Sequence, residues 1–355
     1  MRELRVLVVD DSALNRRVIT QALESVGNVT VVGQAMDGDE ALKLAISLQP
    51  DLVTLDLEMP RMDGFTFLRL LMAKRPTPVL IVSSYASKEN IFRALELGAV
   101  DFLPKPSHGK LTDPSAVASD LAPRVAVVRN LSRAAMAHRS LAGLGSAIMG
   151  AGRTYPRPSL EPDPVLPRRV ILFAASTGGP AALVEIMKKL PEAGSYAVVI
   201  AQHMPEHFTH GFAQRLGRMG RLDFSEVLDV RELRRGRGYV CPGGACIEFV
   251  EERGRVFVRS APPREEDRFV PSANRLFESA AQTLGRRAVA VVLTGMGDDG
   301  ARGAEAVKRA GGMVIAESDE SAVVYSMPEA TIRTGSCDDI LPLSKIGERL
   351  REIVG

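Results

Sequence analysis

The 355-residue chain contains no tryptophan, only five histidines and only three cysteines. The cysteines are Cys241, Cys246 and Cys337, and such a sparse and odd set excludes a disulfide framework. Cys241 and Cys246 are five positions apart, which is not the spacing of a zinc knuckle, and no second pair accompanies them. We expect all three to be ordinary buried thiols, since free cysteine is among the most buried residue types.

Long apolar runs and an excess of charge of one sign are also missing. The apolar run at residues 6–9 is cut short by Asp10 and Asp11, so the N-terminus lacks the pattern of a signal peptide or a membrane span. The net charge of +2 gives no general reason to expect nucleic acid or membrane as a partner. We therefore expect a cytoplasmic protein that neither inserts into a membrane nor binds nucleic acid.

Short β-branched runs alternate with segments of helical periodicity in both halves of the chain. This alternation predicts two α/β domains with parallel sheets, whose ligands bind beyond the carboxyl ends of the strands. In the first half we predict strands at 4–9, 29–35, 52–55, 79–83 and 100–103. In the second half we predict strands at 169–174, 197–201 and 288–293, a final strand at 314–316, and a pair of strands at 239–242 and 255–259.

A change of composition separates the halves. Asp113-Pro114 has the form of a helix N-cap followed by proline, and it predicts a helix to about residue 139. Residues 140–167 contain five prolines among Gly, Ala and Ser, as linkers do. We expect one domain at 1–122, a helical and proline-rich linker at 123–167, and a second domain at 168–355. Six arginines and no acidic residue lie between 121 and 159; they form either a docking surface or, as we favour, a solvated tether.

Acidic and phosphate-binding side chains follow the strands of the first half. Asp10 and Asp11 follow the first strand, and Asp56 follows the third. Three carboxylates at one sheet edge repel each other, and their oxygen atoms suit Mg²⁺. Ser83 and Lys105, after the fourth and fifth strands, can bind phosphoryl oxygens. An aspartate alone is common in turns, but the combination predicts phosphate transfer with Asp56 as the nucleophile.

At these residues the chain, from about 4 to 107, resembles the response-regulator receiver domains. The motifs are Val-Val-Asp10-Asp11-Ser, Leu55-Asp56-Leu-Glu58-Met-Pro-Arg-Met-Asp-Gly64, Ser83-Ser84 and Lys105-Pro106. The resemblance implies a flavodoxin-like, doubly wound parallel sheet in which Asp56 accepts phosphate from a histidine kinase. It implies Mg²⁺ held by Asp10, Asp11, Asp56 and the backbone carbonyl of Glu58, phosphoryl contacts from Ser83 and Lys105, and a switch aromatic at Phe102.

Three strand ends of the second half carry Ser, His and Asp. Ser176 stands in Ala-Ser-Thr-Gly-Gly-Pro between a strand and a helix, near the positive end of the helix dipole. By itself this turn is equally consistent with a structural role, because it lacks both the Gly-x-Ser-x-Gly elbow and a P-loop lysine. His203 ends the next strand and can act as a base. Asp298 or Asp299 can orient the imidazole, or either can cap the helix that follows.

With these motifs, residues 169 to 350 resemble the catalytic domain of the CheB protein-glutamate methylesterases of bacterial chemotaxis. The motifs are Ala-Ser176-Thr-Gly-Gly-Pro180, Gln202-His203-Met-Pro205, Leu293-Thr-Gly-Met-Gly-Asp298-Asp299-Gly300 and Ser321-Ala-Val-Val-Tyr-Ser-Met-Pro328. The resemblance implies a Rossmann-like α/β hydrolytic domain. It also implies roles for five residues: Ser176 as nucleophile, His203 as base, Asp299 as triad acid, and Thr177 and Met296 as active-site lining with candidate oxyanion donors.

The implied reaction is metal-free hydrolysis of glutamyl methyl esters on the cytoplasmic helices of chemoreceptors, with deamidation of glutamine. A chemotaxis histidine kinase would activate the enzyme through the receiver. The family usually has aspartate at the position of Asn274, and a histidine near the position of Cys246, which leaves the substrate contacts open. The competing hypothesis is a second half that only binds a partner, but no helix-turn-helix or aromatic-basic pattern favours it.

Overall fold

The computed structural model describes residues 3–84, 88–105, 111, 113–129, 131, 166–192 and 194–355. The chain divides into two compact units, Met1–Gly150 and Ala151–Gly355. Most of the predicted linker lies outside the described residues, and so do positions 132–139 of the predicted helix. Within the ranges given, no helix is both long and apolar enough to cross a membrane.

The first unit is built on a five-stranded parallel sheet in the order β2-β1-β3-β4-β5. Its strands are β1 Leu4–Val9, β2 Val29–Ala35, β3 Leu52–Leu55, β4 Val79–Ser84 and β5 Asp101–Lys105. Its helices are α1 Ala13–Ser25, α2 Gly38–Leu48, α3 Gly64–Lys74, α4 Lys88–Glu96 and α5 Pro114–Arg129. The prediction of a doubly wound parallel sheet is confirmed.

Local sequence explains how the chain turns sharply after β1. The strand is almost wholly buried, as expected of a parallel strand covered on both faces. The side chain of Ser12 then accepts a hydrogen bond from the Asn15 N–H and caps α1. Asp10 and Asp11 are therefore left at the carboxyl edge of the sheet.

The second unit contains a seven-stranded parallel sheet in the order β15-β14-β13-β6-β7-β10-β8, and a separate antiparallel sheet, β11-β12-β9. Its strands are β6 Arg169–Ala175, β7 Tyr196–Gln202, β8 Asp223–Glu226, β9 Val230–Glu232, β10 Arg237–Val240, β11 Cys246–Glu252, β12 Arg255–Ala261, β13 Ala288–Val292, β14 Met313–Glu317 and β15 Asp339–Leu341. Its helices are α6 Gly179–Lys189, α7 Thr209–Met219, α8 Ala273–Leu284, α9 Ala301–Arg309, α10 Ser326–Arg333 and α11 Leu343–Val354, with short 3₁₀ helices at Glu206–Phe208 and Gly285–Arg287.

The strand order of the large sheet positions the candidate site. The chain leaves β6 toward β7 on one side and later reaches β13 on the other side. The direction of winding therefore reverses between β6 and β13, and ligands of open α/β sheets bind at such a reversal. Strands β6, β7 and β13 are buried along almost their whole length, so the residues at their ends are held by a rigid core.

Two predictions about strands were wrong. Residues 239–242 and 255–259 do not pair: β10 lies between β7 and β8, whereas β12 pairs with β11 and β9. The missed hairpin between β11 and β12 turns at Arg253 and Gly254, which have φ of 53° and 76°, the backbone of a tight hairpin turn. Strand β14 is not the last, because the three-residue β15 follows it. Such a short edge strand carries no detectable periodicity.

The cysteine prediction was right at two positions. Cys241 and Cys246 are buried, whereas Cys337 is only partly buried. Burial raises the pKa of all three thiols, to about 11 for Cys337. Thiols with such pKa values are poor nucleophiles at neutral pH.

Candidate functional site

The structure brings the three predicted carboxylates of the first unit together. Oxygen atoms of Asp10, Asp11 and Asp56 all lie within 4.8 Å of one another. Asp10 and Asp56 are buried and Asp11 is exposed. One oxygen of Asp10 accepts hydrogen bonds from the Ser12 N–H at 2.9 Å and from the Asn15 amide at 3.2 Å, which fixes its orientation.

Lys105 pairs with the two buried carboxylates. Its ammonium lies 2.7 Å from Asp10 Oδ2 and also contacts Asp56 Oδ2. Burial raises the pKa of Asp56 to about 6, and the charge of Asp10 adds to this rise although Lys105 opposes it. Burial alone lowers the pKa of Lys105, but the two carboxylates raise it above its ordinary value. One ammonium pairs with two of the three carboxyl groups, so the donor set and its residual negative charge fit a divalent cation with oxygen ligands.

The other predicted residues of the first unit lie on β4, on β5 and in the turn after β3. Ser83 is fully buried at the end of β4, and its strand pairs with β5, which ends at Lys105. The Glu58 N–H donates to Asp56 Oδ1 at 3.4 Å, so the backbone of Glu58 lies beside the carboxylate. Phe102 is buried within β5.

Asn15 was missed by the sequence analysis. This buried residue donates to Asp10 and accepts a hydrogen bond at 3.1 Å from the Leu111 N–H. It therefore links the acidic cluster to the segment that follows β5. The only sequence signal was a polar residue on the buried face of an amphipathic helix.

In the second unit the backbone around Ser176 is tightly held. Its N–H donates to Thr294 O at 3.0 Å, and its carbonyl accepts from the Gly179 N–H at 2.8 Å. Gly178 has a φ of 83°, and a Cβ on Gly179 would lie 2.2 Å from Gln202 Oε1. Glycine is required at both positions, so the turn presents Ser176 in one conformation.

His203 and Asp299 form a hydrogen bond of 2.8 Å through His203 Nε2. Asp299 is 1% exposed, and it also accepts from the backbone N–H groups of Ala273 at 2.7 Å and Asn274 at 2.9 Å. Asp298 is exposed and instead pairs with Arg268 at 3.3 Å. Of the two aspartates that the sequence left open, the structure places Asp299 against the imidazole.

Because His203 Nε2 is bonded to Asp299, the other ring nitrogen, Nδ1, can bond to a second partner. The Ser176 hydroxyl makes no hydrogen bond to any residue in the described part of the chain. A serine–histidine contact is often long in the absence of substrate. The three side chains follow β6, β7 and β13, which are neighbours in the sheet.

A third turn, at residues 295–297, lies against Ser176. A Cβ built on Gly295 would be only 2.8 Å from Ser176 Cβ. The N–H groups of Gly295 and Gly297 donate to Val324 O and Ser326 Oγ, whereas that of Met296 has no hydrogen-bond partner among residues 166–192 and 194–355. The turn therefore offers one available donor next to the serine, which is the arrangement an oxyanion needs.

Thr177, the other predicted lining residue, is buried beside the serine. Its carbonyl accepts a hydrogen bond of 2.9 Å from Thr294 Oγ1. The sequence thus located all five candidate residues of the second unit at one edge of the sheet.

Asn274 and Cys246, which depart from the family pattern, have their side chains engaged within the protein. Asn274 Oδ1 accepts from the N–H groups of Gly300 at 3.1 Å and Gly303 at 2.9 Å, and so caps α9. Cys246 Sγ contacts Asp267 Oδ2 at 3.6 Å. The Asn274 Oδ1 atom and the Cys246 thiol are therefore engaged within the protein.

Phe269 was also missed. Its ring stacks on that of His203, with centroids 5.2 Å apart and planes 6° from parallel. The residue lies between β12 and α8 in a segment without regular structure. Nothing in the local sequence distinguishes it from any other aromatic residue in a loop.

Two family models match the chain. Residues 171–350 match the CheB methylesterase model, and residues 6–113 match the response regulator receiver domain model. The protein-glutamate methylesterase/protein-glutamine glutaminase 3 of Geobacter sulfurreducens is 44% identical, over 100% of this chain and 97% of the relative. The protein-glutamate methylesterase/protein-glutamine glutaminase 1 of Myxococcus xanthus is 42% identical, over 98% of this chain and 96% of the relative.

A solved structure agrees with the second unit. The Thermotoga maritima CheB methylesterase catalytic domain is 36% identical, with a TM-score of 0.51, and the match covers 52% of this chain and 98% of that domain. These similarities confirm the resemblance inferred from the motifs.

The cap formed by Asn274 generates a stability prediction. Asn274→Ala removes the acceptor of two helix N–H groups and should lower the free energy of unfolding by about 1–2 kcal/mol. Asn274→Asp keeps an acceptor at the N-terminus of a helix and should remain close to the unchanged protein. Chemical denaturation of the full chain measures both variants, and equal losses for Ala and Asp would contradict the capping role.

Proposed function

The chain belongs to the CheB methylesterase family, and from this premise we propose that it hydrolyses glutamyl methyl esters on the cytoplasmic helices of chemoreceptors. The observation that carries the proposal is the His203–Asp299 hydrogen bond of 2.8 Å beside the turn of Ser176. Deamidation of receptor glutamines follows from the same acyl chemistry. The alternative of a non-catalytic output domain is not favoured, because the matched family is a family of enzymes.

We assign Ser176 as nucleophile, His203 as general base and Asp299 as the acid of the triad. Ser176 Oγ attacks the ester carbonyl carbon while His203 Nδ1 takes the hydroxyl proton. The resulting imidazolium is stabilised by Asp299, whose other hydrogen bonds come from backbone N–H groups and keep its carboxylate in place. The available Met296 N–H is assigned to the tetrahedral oxyanion. Thr177 lines the site beside it.

The same groups complete the reaction, with His203 acting first as an acid and then again as a base. His203 returns the proton to the leaving oxygen, so methanol departs and an acyl-serine ester remains. His203 then deprotonates a water molecule, which attacks the acyl carbon. Collapse of that intermediate releases the glutamate carboxylate and restores the Ser176 hydroxyl. With glutamine as substrate, ammonia leaves in place of methanol.

For the receiver we propose that a chemotaxis histidine kinase phosphorylates Asp56. The residues that would hold Mg²⁺ are Asp10, Asp11 and Asp56, together with the carbonyl of Glu58. Bound there, the cation would neutralise charge on the transferring phosphoryl group. Lys105 and Ser83 would contact the phosphoryl oxygens. Phe102, on β5 with Lys105, is assigned as the switch aromatic.

The remaining parts of the proposal concern organisation and location. We propose domains at 1–122 and 168–355 joined by a linker at 123–167. The protein acts in the cytoplasm, where both the kinase and the receptor helices are accessible, and it neither binds nucleic acid nor inserts into the membrane. The esterase step is proposed to need no metal.

The first functional prediction tests the triad. Ser176→Ala, His203→Ala and Asp299→Ala should each reduce methanol release from methylated receptors by roughly 10³-fold or more, and double variants should be little worse than single ones. Asp298→Ala is the matched control, because Asp298 is exposed and pairs with Arg268. Near-normal turnover in Ser176→Ala would overturn the mechanism, and loss of activity in Asp298→Ala alone would reassign the acid.

A second prediction concerns the phosphate acceptor. Acetyl phosphate with Mg²⁺ should label the full chain, and Asp56→Asn should abolish the label. Burial raises the pKa of Asp56 to about 6 when no cation is bound, so protons compete with Mg²⁺ for this carboxylate as the pH falls. At a sub-saturating Mg²⁺ concentration, labelling should therefore slow between pH 7 and pH 5. Mass spectrometry of the intact protein follows both effects. A label that persists in Asp56→Asn would place the acceptor elsewhere.

The third prediction concerns control of the esterase by the receiver. If the unphosphorylated receiver restricts access to the esterase, residues 168–355 alone should release methanol faster than the unphosphorylated full chain. Phosphorylation should raise the full chain to at least the rate of the isolated domain, since opening requires only a few kcal/mol of differential stability. Initial rates at equal enzyme concentration decide the matter. An isolated domain that is no faster would indicate positive allostery or receptor recruitment instead.

A further inference from the structure

The ring of Phe269 contacts two other side chains at the esterase site. One face lies parallel to the His203 imidazole, with the centroids 5.2 Å apart. The Arg268 guanidinium carbon lies 5.7 Å from the centroid of the same phenyl ring. Arg268 also pairs with Asp298 at 3.3 Å, so its charge is partly compensated. Of the residues in these contacts, only His203 belongs to the proposed triad.

Gly297 makes room for the phenyl ring. A Cβ at this position would lie 2.7 Å from Phe269 Cζ, which no real side chain tolerates. Gly297 directly follows Met296, whose N–H we assign to the oxyanion. The ring therefore lies between the general base and the turn that carries the oxyanion donor.

A buried ion-pair network anchors the segment that carries Phe269. Asp267, two positions earlier, pairs with Arg275 of α8 at 2.9 Å, and Arg275 pairs with Glu248 of β11 at 2.7 Å. Asp267 also accepts from the Arg264 N–H at 2.8 Å and contacts Cys246 Sγ at 3.6 Å. The side chains of Asp267 and Arg275 are only 7% and 8% exposed. Buried pairs with this many partners hold a segment in one place.

We infer that Phe269 is a positioning residue for His203. The bond to Asp299 fixes the imidazole at one nitrogen but leaves the ring free to tilt about that contact. A parallel aromatic face removes this freedom and keeps Nδ1 directed toward the Ser176 turn. When His203 accepts the serine proton, the imidazolium faces the negative π-face of the phenyl ring, which stabilises the charged form. This inference rests on the proposed function.

The test compares Phe269→Leu with Phe269→Tyr in the full-length protein. Leucine fills part of the space but has no flat face, so kcat for methanol release should fall on the order of 10- to 100-fold, as expected for a misplaced catalytic group. KM should change by less than about twofold, since no substrate contact is lost. Tyrosine keeps the ring and should restore most of kcat.

Phe257→Leu is the matched control. Phe257 lies on β12, is also half-buried, and also has an arginine guanidinium, that of Arg255, 5.7 Å from its ring. It differs from Phe269 in that no histidine ring stacks on it among residues 166–192 and 194–355. Its replacement should leave kcat unchanged. If kcat fell as much in Phe257→Leu as in Phe269→Leu, the effect would reflect a general loss of stability, and the inference would be overturned.

A spectroscopic signature completes the test. Loss of the ring in Phe269→Leu should remove its ring-current shift from the His203 imidazole protons, assigned by their disappearance in His203→Gln. An unchanged His203 signal, an unchanged kcat in Phe269→Leu, or a Tyr variant as impaired as Leu would each overturn the inference. If the unsubstituted protein releases no methanol, the proposed function fails instead, and the His203 signal alone decides whether Phe269 positions the ring.

Discussion

The esterase site depends on the hydrogen bonds that the buried carboxylate of Asp299 accepts. A buried charge without partners costs several kcal/mol, and here His203 and the two N–H groups at the start of α8 supply three donors. These donors come from β7 and α8, whereas Asp299 belongs to the turn after β13. The orientation of the His203 imidazole and the attachment of α8 therefore both depend on this one carboxylate. In the opposite direction, Asn274 at the start of α8 caps α9, the helix that follows Asp299, with its own side chain.

The receiver uses buried carboxylates in the opposite way. Asp299 accepts hydrogen bonds from three donors. Asp56 shares the ammonium of Lys105 with Asp10 and has beside it only the long hydrogen bond of 3.4 Å from the Glu58 N–H among the described residues. The raised pKa of Asp56, about 6, is the consequence of burial with incomplete compensation. An undercompensated carboxylate is suited to bind a cation and to be modified, whereas a saturated one is suited only to hold its partner. In the proposed mechanism, the same residue type thus serves phosphate transfer in one unit and the orientation of His203 in the other.

Most of the architecture was predictable because parallel strands are continuous apolar runs, and the residues after them necessarily meet at one edge. Ser176, His203 and Asp56 were found in this way. The family resemblance implied Asp299 rather than Asp298, and the geometry agrees, since Asp299 contacts both His203 and the N-terminus of α8. The residues of the turn alone left the two aspartates open, because the contact to α8 comes from outside the neighbouring sequence. Strand β15 and the stack of Phe269 on His203 were missed for a related reason: long-range packing determines both.

Thr294 shows how rigidly the esterase site is assembled. Its carbonyl accepts from the Ser176 N–H, its hydroxyl donates to Thr177 O and accepts from the Val324 N–H, and its own N–H donates to the buried Glu317. One residue therefore joins the turn of Ser176, the turn of Met296 and the segment before α10. Loss of the bond between the Ser176 N–H and the Thr294 carbonyl would free the backbone at the proposed nucleophile. Catalysis tolerates little misplacement of the reacting groups. Activity of this enzyme is therefore better regulated by changing access to the site than by deforming it.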